Sequence, residues 1–210
     1  IRRDSIENIY ATFSSRGVLK VIRQSDLALS DEEISTLASG YGVNLKEPGI
    51  NESIKAAMGW PSAVSMLMYQ IAQNKRAVDF EKIAASQNDP LRSLAISVIE
   101  GLDASARSII TALAALQEFN HEQAEVILRE EYSYDQINRL ALDGNFFSQT
   151  GSPEQTFEFS KLMREILVAD LRLDAAKKKR IHSALLAYHE ERNEPFFALE
   201  HAYLCENFEK

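Results

Sequence analysis

Residues 146–159 read FFSQTGSPEQTFEF and hold two short apolar runs on either side of a turn. Phe146-Phe147-Ser148-Gln149 and Thr156-Phe157-Glu158-Phe159 have the aromatic and alternating character of strands, and Gly151-Ser152-Pro153 is typical of a turn. The stretch therefore predicts a two-stranded hairpin. Three predicted helices precede the hairpin and one follows it, and this order is that of a winged-helix domain.

Each of these helices has its own start signal or apolar face. Asp103 can cap the first, a second covers about 122–128, and Ser133 with Gln136 forms a capping box for the third. Pro90 opens an earlier helix. The predicted apolar face of this helix consists of Leu91, Leu94 and Val98. The face of the first helix consists of Ile109, Ile110, Leu113 and Leu116, and that of the helix after the hairpin of Leu162, Met163, Ile166 and Leu167.

The first half of the chain predicts a small helical unit. Ser30 and Glu33 form a capping box, and Asn51 can cap a helix that Gly59 ends. Pro61 lies where the first turn of a helix tolerates proline. The apolar stripe of that helix is Val64, Leu67, Met68 and Ile71, and upstream of the unit we expect a helix over 6–13 and a strand over 18–22.

Two helices are predicted at the end of the chain, over 174–192 and 195–208. The small residues Ala184, Ala187, Ala198 and Ala202 would let them pack closely as an antiparallel pair. One pair cannot bury both of its faces, so we interpret it as the first unit of a helical-repeat array. With only 8 glycines and 5 prolines, the predicted fold class is mainly α, with a helical lid, a winged helix with a small β wing, and a TPR-like repeat.

Composition limits the function classes. The 210 residues include 23 basic and 31 acidic side chains, for a formal net charge of −8, and 45% are hydrophobic, as in a globular protein. No apolar run is long enough to cross a membrane, and no secretory signal opens the chain. The one cysteine, Cys205, fits a reducing compartment, so we expect a cytoplasmic protein. Because the first residue is Ile1 rather than Met, we expect a piece of a longer protein.

Several motifs occur in an order that resembles one family. They are GVLKVI at 17–22, DLALSDEE at 26–33, Gly59-Trp60-Pro61 before an apolar helix, LALDGNFF at 140–147, IHSALLAY at 181–188 and ALEHA at 198–202. The set resembles the MalT-type, large LuxR-family branch of the STAND signal-transduction ATPases. Each motif alone has low specificity, and the resemblance rests on their order over almost the whole chain.

The resemblance implies a position inside a larger regulator. Residues 1–23 would end the nucleotide-binding module, 24–75 would be a helical lid and 76–89 a linker. Residues 90–172 would be the winged helix and 173–210 the first helical-repeat pair. The implied partners are the upstream P-loop module, the downstream repeats, and an inducer or protein partner, and the implied cofactor of the parent protein is ATP or ADP. No G-x-x-x-x-G-K-[ST] occurs here, so we expect neither a cofactor site complete in this segment nor enzyme activity from it alone.

The resemblance also implies nucleotide contacts. Arg3, with Arg2, falls near the family's sensor arginine, and Trp60 and Pro61 match the element that lies against adenine. Ser160 occupies the place of a histidine that the family directs toward the phosphates. The structural alternatives are that Trp60 and Pro61 only anchor and start a helix, and that Ser160 only caps one.

Charge argues against DNA binding by this winged helix. Residues 120–150 hold six acidic and two basic side chains, and phosphate contact requires Lys or Arg. The Lys177-Lys178-Lys179-Arg180 run surrounds its helix and is interpreted as a solvated surface.

His201 and Cys205 have the spacing of two metal ligands on one helical face, but without a second pair of ligands we expect no metal. Cys205 would instead pack inside the hairpin, and His201 would lie at its edge.

Two functions from different classes follow. The first is a regulatory segment of an ATP-switched bacterial transcription regulator, in which lid and winged helix hold nucleotide in an off state. The second is a protein-protein interaction scaffold with a degenerate nucleotide switch, which Ser160 favours. Neither predicts a direct contact with nucleic acid or membrane.

Overall fold

The structure, a computed structural model, describes residues 24–143, 146–150, 155–170 and 175–206. Within these residues the chain is mainly α-helical with one small antiparallel sheet, which confirms the predicted fold class. The predicted helix over 6–13, the strand over 18–22 and the turn at 151–153 lie outside the described residues. No helix of the described residues is both long and apolar enough to span a bilayer.

Four helices follow a 3-10 turn at Gln24–Leu27 and are called the N-terminal helical unit below: α1 (Asp31–Tyr41), α2 (Ile50–Lys55), α3 (Pro61–Asn74) and α4 (Phe80–Ala85). The capping box at α1 is confirmed, because Ser30 Oγ accepts from the Glu33 backbone while the Glu33 carboxylate accepts from the Ser30 backbone. Pro61 occupies the first turn of α3, and the predicted apolar stripe of that helix is fully buried. The prediction for α2 was wrong: Asn51 lies inside the helix, which begins after Gly49 in a left-handed conformation with φ 78°.

The winged helix comprises α5 to α9 and three strands. The bounds are α5 (Pro90–Glu100), α6 (Ala104–Leu113), β1 (Glu118–Phe119), α7 (His121–Leu128), α8 (Tyr134–Asp143), β2 (Phe147–Thr150), β3 (Thr156–Phe159) and α9 (Lys161–Asp170). Asp103 caps α6 as predicted, by accepting from the Ala106 backbone. The buried face of α5 is Leu91, Ala95 and Ile99 rather than Leu91, Leu94 and Val98, because that side packs on α3, α4 and α9.

The sheet has three strands rather than the predicted two. Its order is β1-β3-β2, with all neighbours antiparallel, and Phe119 of β1 pairs with Phe157 of β3. Phe147 and Phe159 complete an aromatic cluster whose ring centroids are 5.1–6.0 Å apart. These rings fill the space between the sheet and the helices, so the wing is part of the core of the domain.

The chain ends in an antiparallel pair, α10 (Ala175–Glu191) and α11 (Pro195–Glu206). Helix α10 packs on α7 and contributes Ile181 and Leu185 to the core that runs through the rest of the molecule. In the N-terminal half, α4 packs against α9, the helix that closes the winged helix. The stretch 76–89, predicted as a linker, thus contains a helix that contacts the winged helix directly.

Candidate functional site

A sharp corner precedes α3 and carries two of the predicted contact residues. Gly59 has φ 73°, and a Cβ at this position would lie 3.0 Å from the carbonyl oxygen of Leu29, so the corner requires glycine. The Gly59 carbonyl in turn accepts from the Leu29 N–H at 2.8 Å. Trp60 then occupies the N-cap position half-buried, and Pro61 begins the helix. The corner holds the indole at the rim of a cleft.

Ser160 lies at the junction between β3 and α9 and is only 3% exposed. Its hydroxyl donates to the carbonyl oxygen of Ala56, just after α2, at 2.7 Å. The hydroxyl oxygen also accepts from the Met163 N–H at 3.4 Å, so the capping role predicted from the sequence is present as well. The hydroxyl hydrogen of Ser160 is therefore bonded to the backbone of the N-terminal helical unit, and this hydrogen bond joins residues 104 positions apart.

A cleft of about 720 Å³ lies between the N-terminal helical unit and the wing. Trp60 and Ser160 both line it, so the structure brings together two residues that the family resemblance singles out separately. The charged lining residues are Lys55, Lys161, Glu52 and Glu158. Pro61 follows Trp60 as the first residue of α3 and is not among the residues that line the cleft, and Arg3 lies outside the described residues.

The side chains that line this cleft suit a flat aromatic ring better than a chain of phosphates. The Trp60 indole offers an aromatic surface, whereas two lysines and two glutamates leave the charged lining without a net positive charge. The Lys161 ammonium lies 6.0 Å from the Phe80 ring centroid, so it is placed over α4. An adenine on Trp60 is compatible with this lining, while phosphate binding would depend on residues elsewhere.

Lys55 and Ala56 are the site residues that sequence analysis missed. Lys55 ends α2, and its only sequence signal is a single basic residue in the last turn of a short helix. The part of Ala56 that matters is its backbone carbonyl, which no pattern of side chains reveals.

Of the two residues considered for a metal, Cys205 is placed as expected and His201 is not. Cys205 is buried in the α10–α11 pair as predicted, with its Sγ 3.4 Å from the Ser183 hydroxyl. His201 was predicted at the edge and is instead buried, 6% exposed, against His182 and His189. Among the residues that the structure describes, no group of three or more His, Cys, Asp or Glu side chains is arranged to hold a metal ion.

The winged helix is connected to the C-terminal helical pair by contacts of Glu122 with Tyr188 and Arg192, which we call the Glu122 joint. Glu122, in the first turn of α7, accepts from the Tyr188 hydroxyl at 2.7 Å and pairs with Arg192 at 2.8 Å. The Arg192 guanidinium lies 5.0 Å from the Tyr188 ring centroid. Burial, followed by the Glu122 hydrogen bond and charge, raises the pKa of Tyr188 to about 12, so the phenol remains protonated at neutral pH.

These features define a class: a mainly α protein in which a winged helix packs between a small helical unit and a helical pair. A family model described as the MalT winged helix domain matches residues 95–180. That stretch is therefore a MalT-type winged-helix domain, and the match confirms the resemblance to MalT-type regulators. Among curated proteins, none matches the chain.

Proposed function

We propose that this chain is the regulatory segment of an ATP-switched transcription regulator and couples a nucleotide-binding module to signal-sensing helical repeats. The Ser160–Ala56 hydrogen bond is the observation that carries the proposal. It joins the winged helix to the backbone just before the Gly59-Trp60-Pro61 corner, at the cleft where the resemblance places nucleotide. A change in the position of the winged helix is thus transmitted directly to the side of the cleft that carries Trp60.

The energy scale of this contact suits a switch. Two packings that a ligand interconverts can differ by only a few kcal/mol, and one buried hydrogen bond contributes on the order of 1 kcal/mol. In the proposed off state, adenine lies against Trp60, which Pro61 positions at the start of α3, and the P-loop module of the same regulator, with Arg3 near its end, holds the phosphates. In the on state the winged helix and the N-terminal unit separate at Ser160.

The signal side of the proposal rests on the Glu122 joint. Tyr188 and Arg192 of α10 both bind Glu122, which lies in the first turn of α7. A displacement of α10 would therefore also displace the start of α7. The repeats, or an inducer or protein partner bound to them, would act through this joint. The winged helix itself makes no nucleic-acid contact in this proposal, because Glu122, Glu125, Glu130 and Glu131 around α7 are exposed and would repel phosphate.

Thermal melting of the full-length regulator tests the proposal. ADP should raise the melting temperature of the wild-type protein, and Pro61→Ala should reduce that shift. Pro90→Ala is the matched control, because Pro90 also occupies the first turn of its helix but lies at α5, away from the cleft. An ADP shift that is equal in the two variants would refute the role of the corner.

The alternative function, an interaction scaffold with a degenerate switch, is favoured by one specific observation. Ser160 replaces the histidine of the family motif, and its hydroxyl proton is donated to Ala56 rather than directed at a ligand. If saturating ADP leaves the melting curve of the wild-type regulator unchanged, the scaffold becomes the better account. The Ser160–Ala56 bond would then fix one packing permanently.

A further inference from the structure

Three of the four histidines of this chain are buried in the α10–α11 pair. His182, His189 and His201 are 4%, 3% and 6% exposed. Histidine is seldom buried so completely unless its ring nitrogens have partners. The proposed function uses none of these three side chains.

The rings form a continuous stack across the interface. His182 Nδ1 lies 3.2 Å from His201 Nδ1, and the centroids of these two rings are 5.3 Å apart. On its other side His201 stacks on His189, also at 5.3 Å, and His189 stacks on Phe197. His189 Nδ1 donates to a carboxylate oxygen of Glu194 at 2.6 Å, which ties the stack to the connection between the helices.

The proton count of the His182–His201 contact determines whether it is a bond. With both rings neutral, one Nδ1 carries the hydrogen and the other accepts it. A first added proton can reside on Nε2 of the donor ring, which keeps the bond but places a positive charge in the interface. A second proton leaves an N–H on each Nδ1, so two donors face each other at 3.2 Å and the contact becomes repulsive.

The surroundings of the stack disfavour that charge. Burial, followed by the charges of His201, of Lys178 in α10 and of Arg164 in α9, lowers the pKa of His182 from 6.5 to about 4. Burial and His189 lower the pKa of His201, while Glu200 acts in the opposite direction. Glu194 and Arg192 lie beside His189, 3.8 Å from each other, and α7 contributes Glu122 through Tyr188.

We propose that the His182–His201 pair is a proton-operated lock on the α10–α11 hairpin. Its shared hydrogen bond holds the two helices in register while the rings are neutral, and protonation of both rings opens the hairpin without unfolding the winged helix. The hairpin is suited to local opening, because α11 makes its principal contacts with α10 alone. Acidification is thus a second input to the segment, independent of nucleotide.

The chain contains two native probes, one for the opening of the hairpin and one for the integrity of the rest of the fold. Cys205, the only cysteine, is buried in the hairpin beside Ser183, so its reaction with a dipyridyl disulfide reports hairpin opening. Trp60, the only tryptophan, lies at the distant cleft, so its emission reports the rest of the fold. Both are measured across the pH range, with each labelling rate divided by that of free cysteine at the same pH.

The expected result is a loss of protection confined to the hairpin. A histidine with a depressed native pKa stabilises the hairpin fully above its unfolded pKa, and this contribution declines as pH falls from 6.5 to about 4. Protection of Cys205 should fall by up to about two orders of magnitude across that window, since each unit of pKa shift corresponds to a factor of ten. Trp60 emission should stay constant where the loss begins.

Two variants separate the pair from other titrating groups. His182→Gln, which cannot acquire a charge, should flatten the profile, whereas His121→Gln, a change at the histidine outside the hairpin, should preserve it. Protection that does not depend on pH in the wild-type protein overturns the proposal. So does a change in Trp60 emission that coincides with the loss, or a profile that His182→Gln leaves intact. If His182→Gln fails to fold, the wild-type profile of the two probes decides alone.

Discussion

Replacement of Ser160 by alanine tests the joint between the N-terminal unit and the winged helix. The variant removes the buried donor to the Ala56 carbonyl, which was bonded at 2.7 Å. A buried backbone carbonyl left without its donor costs about 1–3 kcal/mol, and loss of the weaker N-cap bond to Met163 adds about 0.5 kcal/mol. We therefore expect Ser160→Ala to lower the free energy of unfolding by about 1.5–3.5 kcal/mol.

Urea unfolding followed by Trp60 emission is the assay, since Trp60 lines the same cleft. Ser97→Ala is the control: the Ser97 hydroxyl is exposed and bonds only the Leu94 carbonyl of its own helix, so its loss should change stability by less than about 0.5 kcal/mol. For a chain of this size the Ser160 variant should melt roughly 3–14 °C lower. Equal stabilities of the Ser160 and Ser97 variants would refute the inference that Ser160 holds the two units together.

Three further predictions test other parts of the structure, each by urea unfolding. Phe157→Ala removes a fully buried ring from the aromatic cluster and should cost about 3–5 kcal/mol; a cost below about 1 kcal/mol would contradict the role of the wing in the core. Gly59→Ala should destabilise more than Gly42→Ala, because both have positive φ but only the Gly59 Cβ meets backbone, and a reversed order would contradict the corner geometry. Tyr188→Phe and Glu122→Ala, each of which removes one partner of the hydrogen bond, should couple by about 0.5–1 kcal/mol in a double-mutant cycle, and strict additivity would show that the joint carries no energy.

The sequence predicts those elements whose signals are local. The Ser30–Glu33 capping box, Pro61 at the start of α3 and the four-residue stripe behind it are all confirmed, because capping and helical periodicity depend on neighbours within one or two turns. The β2–β3 hairpin is confirmed for the same reason. β1 was missed, because two residues, Glu118 and Phe119, are too short a run to show alternation, and their pairing partner lies about 40 positions away.

The remaining errors have a tertiary cause. Ala95 lies on the face of α5 that packs against the neighbouring helices, where its small side chain suits close contact. The sequence pattern missed it because alanine is less hydrophobic than Leu94. His201 looks like a surface residue until α10 places His182 beside it. In the candidate site, family resemblance identified Trp60 and Ser160, but the hydrogen bond that gives Ser160 its role ends on a backbone carbonyl that no sequence pattern marks.

ADP binding to the full-length regulator, measured by calorimetry, tests the central claim most directly. Wild type, Trp60→Ala and Tyr69→Ala are compared, since Tyr69 is an exposed aromatic residue of the same helix, α3, outside the cleft. The account predicts one ADP per chain, a dissociation constant raised about tenfold by Trp60→Ala as expected for the loss of roughly 1.4 kcal/mol of ring contact, and no change for Tyr69→Ala. Identical affinities of the Trp60 and Tyr69 variants, or no binding to the wild type, would contradict it.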